Sequence, residues 1–335
     1  MNPMNRLFSV AVSVGVLCAR PPVSGLAATA HTGQVVMGTV LQVTVVADDA
    51  ARAREMTARA VKIARHWDDV LTTWRPEGEL ARLNAAAGEG PQRISADLTF
   101  ALATMTRLSG LTGGAFDPGV GPIVATYSRP EGTLPESRVG TRIREVLTLG
   151  DGIAALSTGA ALDAGGIGKG IALDAIAMEL RVAGATAVYL DFGGSSQLAF
   201  GTMESGDPWT LALAGLEPGV SHGLMRLQGA LSTSRSRPVG DETGPIVDPH
   251  TGRAVTAPRF ATCYAATATQ AEACSKAFIV MGWTAYESNR GAGWGALYED
   301  SDELHFSPGF ASMISGGRVA HASTYDSTAP KKTKK

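Results

Sequence analysis

Between Asp163 and Gly170 the chain reads Asp-Ala-Gly-Gly-Ile-Gly-Lys-Gly, and a helical stretch from Ile171 to Val182 follows directly. Four glycines among these eight residues remove the Cβ atoms that would hold backbone N–H groups away from an anion. A helix N-terminus adds roughly half a positive charge, and Lys169 adds a full one. The segment therefore reads as a seat for a pyrophosphate. It is not a P-loop, because no Ser or Thr follows the lysine, and it lacks the strand and the distant acid that accompany G-x-G-x-x-G. On the local pattern alone, a Gly-rich turn entering a helix with a solvated Lys169 stays open as the plainer alternative.

Composition narrows the setting. The 335 residues are 44% apolar and 18% charged, with a net charge of −2, so the chain can bury a core and shows no nucleic-acid surface. The 40 glycines are spread along the chain, as tight turns require, with no repeat period. Arg6, the apolar run Leu7–Ala19 and Ala28-Thr29-Ala30 together read as a secretory signal over residues 1–30, which implies export to the periplasm or an equivalent space. An uncleaved anchor is the alternative. With Cys18 removed, Cys263 and Cys274 remain, and two buried thiols are favoured over a bridge. Residues 316–335 end in a Lys-rich stretch that reads as a disordered tail.

Along the body of the chain, 31–315, the patterns predict one compact α+β unit. Val40–Val46 alternates as a strand, and Asp48–Leu71 repeats its apolar residues at helical spacing. Glu79–Ala87 reads as a short helix, and Ser95 caps a helix running to Leu111. Val146–Leu149 and Ala154–Leu156 form a hairpin around Asp151-Gly152. Ala187–Phe192, Trp209–Leu213, Leu224–Leu227, Gly229–Ser232 and Phe260–Ala265 are strands, and Thr269–Met281 is a helix.

Several separated motifs then fit one family. Met37-Gly38-Thr39, the run Trp74–Asn84, Gly114-Ala115-Phe116-Asp117-Pro118, Asp163–Asp174, Phe192-Gly193-Gly194, Val247-Asp248-Pro249-His250-Thr251-Gly252 and Ala271–Gly282 occur in order. In this the chain resembles the FAD:protein FMN transferases, the ApbE-like family. The resemblance implies a T-fold-like unit of mixed or antiparallel sheets with packed helices. It implies FAD as substrate and transfer of its FMN half to a Thr or Ser hydroxyl, with AMP released. The acceptor would be an FMN-binding domain of a membrane or secreted redox protein. Carried over by motif, FAD contacts fall on Met37, Trp74, Ala115, Phe116, Asp117, Asp163, Lys169 and Ile246. Trp74 suits stacking on a flat ring, and Lys169 suits a phosphate. The local alternatives are a core aromatic for Trp74 and a turn former for Asp117.

The family's magnesium site maps to the Gly166 carbonyl and to Glu272, Ser275 and Lys276. Here Glu and Lys stand where the family has Asp and Thr, and a protonated lysine has no lone pair for a metal. An i,i+4 Glu272–Lys276 pair is the plain alternative. Another is that the Lys276 ammonium takes the ion's place. The family's histidine, whose place near the phosphate implies a base, maps to Pro245, which cannot take a proton, and Gly78 replaces a family Ser. Arg235 and Arg237 stand where the family is small or acidic, facing phosphate or solvent. A flavin transferase is thus the leading reading. A weakened FAD-binding or delivery module, slow hydrolysis of FAD, and a plain exported interaction domain are the alternatives.

Overall fold

The computed structural model describes residues 27–127, 142–236, 246–285 and 293–316. Most of the expected secretory segment and tail, and the positions Cys18, Arg237 and Pro245, lie outside the described residues.

The main sheet is antiparallel throughout. Its order is β1 (Ala28–Val36), β2 (Thr39–Ala47), β6 (Ala187–Phe192), β7 (Ser196–Phe200), β10 (Gly229–Arg235), β13 (Arg259–Ala265), β14 (Gly295–Asp300) and β15 (Leu304–Phe306), numbered along the chain. Smaller sheets join β16 (Ile314–Ser315), β9 (Ser221–Arg226) and β8 (Thr210–Ala214), and β3 (Gln92–Arg93), β5 (Ile153–Leu156) and β4 (Leu147–Gly150). A separate hairpin pairs β11 (Val247–Asp248) with β12 (Arg253–Ala254). The expected α+β unit is found.

Three helices, α1 (Ala50–Leu71), α6 (Gly168–Val182) and α7 (Ala268–Met281), pack against the main sheet, with α6 touching both of the others. Further helices are α2 (Glu79–Ala85), α3 (Ala96–Leu111), α4 (Gly121–Tyr127) and α5 (Ile143–Val146). Asp49 caps α1 by accepting from the Ala51 and Arg52 N–H groups. Ala53, Met56, Ala60, Ala64, Trp67 and Leu71 then form its buried stripe. Ser95 caps α3 as expected, and Thr267 caps α7. The largest core lies between the main sheet and these helices. A second, around Trp209, Leu211, Met225, Phe260 and Phe310, joins the main-sheet strands to β8 and β9. Cover on both faces explains why β6 is almost continuously apolar and buried.

Ala28–Val36 pairs with β2 along its whole length, so Ala28, Thr29 and Ala30 of the A-x-A triplet are strand residues. Cys263 and Cys274 are buried free thiols.

Candidate functional site

The glycine segment is where the separated motifs meet. The β1–β2 turn is Met37-Gly38, with φ of 50° and 74°. A two-residue hairpin of this kind needs both residues in the left-handed region, uncommon for Met. The Met37 Cε lies 3.2 Å from where a Cβ on Gly168 would stand, and the Leu71 Cδ1 at the end of α1 lies 3.6 Å from it. Trp74 follows in the turn after Leu71 and is 76% exposed, so it is no core aromatic but an open platform. Gly78, where the family has Ser, sits so tightly that a Cβ would come within 2.4 Å of the Thr72 side chain.

Asn84 then fixes the approach to the segment. Its Nδ2 donates to the Leu162 carbonyl at 2.8 Å, and its Oδ1 accepts from the Leu162 N–H at 2.8 Å. The next N–H, of Asp163, donates to the Pro118 carbonyl at 2.8 Å. That bond ties the glycine segment to the Gly114–Pro118 loop. Phe116 from this loop comes within 3.3 Å of a Cβ built on Gly166, and the Lys276 Cε within 4.0 Å. Gly170 approaches α7 so closely that a Cβ would lie 2.7 Å from the Ala268 carbonyl oxygen. Asp174, one turn on, accepts from the Ala268 N–H at 2.7 Å and the Thr269 N–H at 2.9 Å, and so binds α6 to the start of α7.

Glu272 on α7 is the charged centre of this junction and is fully buried. Its Oε2 accepts from the Gly170 N–H at 2.9 Å, and its Oε1 from the Ser196 hydroxyl at 2.5 Å. The Lys169 ammonium lies 3.6 Å from Oε1. The i,i+4 pairing with Lys276 does not close to ion-pair distance; the carboxylate turns to α6 and β7 instead. Burial alone would raise the Glu272 pKa, but Lys169, Lys276, Ser196 and the Gly170 N–H outweigh it and hold the carboxyl below its usual range. Burial pushes the Lys276 ammonium down to about 8, with Glu272 opposing and Lys169 adding to the shift. Burial raises the Asp163 carboxyl, against the Gly165 N–H that it accepts at 2.9 Å.

The remaining expected contacts serve the walls. Ala115 and Phe116 are buried. Asp117 accepts from the Gly119 and Ile143 N–H groups and from the Ser109 hydroxyl, so its carboxylate organises the loop. The Ile246 carbonyl accepts from the Val255 N–H at 2.9 Å, next to the β11–β12 hairpin. In that hairpin His250 Nδ1 faces Asp248 at 3.1 Å and Nε2 faces the Gly113 carbonyl at 3.2 Å, which brings another motif to the same loop. Arg235 is half-buried and turns back onto the protein. Its guanidinium donates to the Gly215 and Leu216 carbonyls and lies over the Phe260 ring.

The set Gly166, Glu272, Ser275 and Lys276 does not fit a divalent cation. Both Glu272 oxygens are engaged, one of them by an ammonium as well. The Ser275 hydroxyl is shared with Ser232 at 3.1 Å, with Ser234 at 2.8 Å and with the Glu272 carbonyl. Among the described residues no group of three or more His, Cys, Asp or Glu side chains is placed to hold a metal. Sequence reasoning did not single out Ser196, Ser232, Ser234, Asn84 or Asp174 as site builders. Asn84 and Asp174 stand inside the quoted motifs; Ser196 carries no local signal.

Comparison with known proteins follows the same outline. The sequence pattern of the ApbE family matches residues 37–289. The chain is 26% identical over 278 residues to a FAD:protein FMN transferase of Klebsiella pneumoniae, covering 73% of this chain and 77% of that one. It is 24% identical over 194 residues to one from Vibrio cholerae, covering 55% of this chain and 58% of the relative. In structure it resembles the ApbE protein of Thermotoga maritima, with a TM-score of 0.77 and 19% identity over 86% of this chain and all of the other. The flavin transferase ApbE of Vibrio cholerae gives 0.74 at 22% identity, again over 86% of this chain and the whole of that one. At these identities the structures establish the fold.

Proposed function

The chain belongs to the ApbE family, and from that premise we propose that it is an exported FAD:protein FMN transferase. The observation that carries the reading is the meeting of the family's motifs on one glycine segment. Met37, Phe116 and Lys276 border that segment, Lys169 belongs to it, and the exposed Trp74 follows Leu71, which packs against it.

In the reaction, the oxygen of an acceptor Thr or Ser hydroxyl bonds to the flavin-side phosphorus of FAD. The bond from that phosphorus to the oxygen shared with the AMP phosphate breaks. AMP leaves with that oxygen, and the hydroxyl proton is released. The residues at hand supply positive charge where charge develops on the leaving phosphate, the main electrostatic demand of such a step. Trp74 offers its face to a flat ring. Asp163, with its carboxyl raised by burial, offers a hydrogen-bonding group beside the same segment. The acceptor is a protein with an FMN-binding domain in the exported space, which the N-terminal charge and apolar run support.

The test is direct. The full chain is mixed with FAD and an acceptor domain carrying a threonine in an FMN-attachment sequence. A fluorescent acceptor band on a denaturing gel, with AMP formed in equal amount, is the expected result. Bound FAD with an unlabelled acceptor would refute transfer and leave the flavin-delivery reading.

A further inference from the structure

We propose that this centre holds the FAD diphosphate without a divalent cation, the Lys276 ammonium standing where an oxygen-ligated ion would otherwise sit. The inference rests on the flavin-transferase reading and concerns how that site meets its substrate's charge.

The arrangement of charges leads to it. Lys169 and Lys276 both act on the buried Glu272 carboxylate, whose other charged neighbour is Asp174. Lys169 is already engaged with Glu272 at 3.6 Å. The Lys276 ammonium has no hydrogen-bond or ion-pair partner among the described residues, although its stem is packed into the protein. The Lys276 side chain is half-buried, and a partly desolvated ammonium without a close partner is favoured by an anion that completes it. The Gly166 N–H likewise has no partner among the described residues. The Lys276 Cε lies 4.0 Å from where a Cβ on Gly166 would project. A cation and a backbone donor, neither with a close partner, therefore belong to neighbouring residues beside the Phe116 ring. A phosphate oxygen satisfies both.

A divalent ion at this place meets the opposite circumstances. Its only carboxylate is committed to the Gly170 N–H, Ser196 and Lys169. Its hydroxyl candidate, Ser275, is held by Ser232 and Ser234. Two ammonium groups stand close by. Hard cations take carboxylate, carbonyl and water oxygens, and an ammonium offers only donors.

The experiment is FAD titration of the full chain, followed by flavin fluorescence, in EDTA and in magnesium. For the natural sequence the two dissociation constants are expected to agree within about threefold, a difference below about 0.7 kcal/mol. Lys276→Thr is expected to weaken FAD at least about tenfold in EDTA and to recover part of the loss with magnesium. The thermal midpoint of ligand-free Lys276→Thr should not fall, because the substitution removes an unpaired cation; this separates lost binding from lost folding. A tenfold or larger magnesium requirement in the natural protein would overturn the inference while leaving the flavin reading intact. So would undiminished FAD affinity of Lys276→Thr in EDTA. No FAD binding in either buffer would overturn the flavin reading itself, and the inference with it.

Discussion

Replacing Glu272 by Gln tests the electrostatic account at its centre. The side chain keeps its size but loses its charge, so Lys169 loses its ion-pair partner and Lys276 the carboxylate that favours its charged form. Removing one partner of a buried pair destabilises by about 3–5 kcal/mol. Lys169 keeps 22% of its side-chain surface and recovers some hydration, so the lower end, about 3 kcal/mol, is expected. The midpoint of urea unfolding, followed by tryptophan fluorescence, should fall with an unchanged slope. Adding Lys276→Met should return at least about 1 kcal/mol relative to additivity, because the two groups share one network. The penalty should also shrink as pH rises. Lys276 has a folded value near 8 against 10.5 in a free chain, so between these values the unfolded state binds more protons and stability rises with pH. Without Glu272, which raises the Lys276 value, that window opens lower still, and the variant gains more than the natural chain between pH 7 and 9. A loss under about 1 kcal/mol, an additive double change, or a penalty that is flat with pH would refute the reasoning.

FAD affinity should follow the opposite course to ligand-free stability, falling as pH rises through about 8 and Lys276 loses its proton; titrations at pH 7 and 9 show it. Trp74→Ala should weaken FAD by about 0.5–1.5 kcal/mol, the worth of an aromatic contact, with no change in melting, since the ring is 76% exposed. Gly170→Ala should destabilise by about 1–3 kcal/mol, because the new methyl would stand 2.7 Å from the Ala268 carbonyl oxygen; calorimetry measures it. Asn84→Leu should lose both bonds to Leu162 and destabilise by about 1–3 kcal/mol, with FAD affinity falling as the segment loosens.

The long elements were legible because each carries its own local reasons. The α1 stripe and the cap Ser95 stand in the sequence as spacing and residue type. The alternation of β2 does so as well. The β1 strand was hidden because its alternation runs through Ala28-Thr29-Ala30, which also looks like a processing site; its pairing with β2 comes from the Met37-Gly38 turn. The β7 strand was hidden differently. Ser196–Phe200 is buried along nearly its whole length and follows a glycine turn, so it shows no period that a half-exposed strand would show.

The site divides along the same line. Residues whose role is set by the chain around them, Asp117 in its turn and Gly166 in its segment, could be picked out one motif at a time. Glu272 could not, because its role is set by residues far from it in sequence. Helical spacing alone offers it Lys276, four residues on, and an exposed pair of that kind is worth only a few tenths of a kcal/mol. The fold offers it the Gly170 N–H, the Ser196 hydroxyl and Lys169, around a carboxylate that is itself closed to water. Charge-assisted hydrogen bonds in such a place are roughly twice as strong as neutral ones, so the tertiary partners win the carboxylate and the local partner loses it. Lys276 is left without a direct partner as a consequence of that competition, and its unpaired charge beside Gly166 is what makes the junction receptive to an anion.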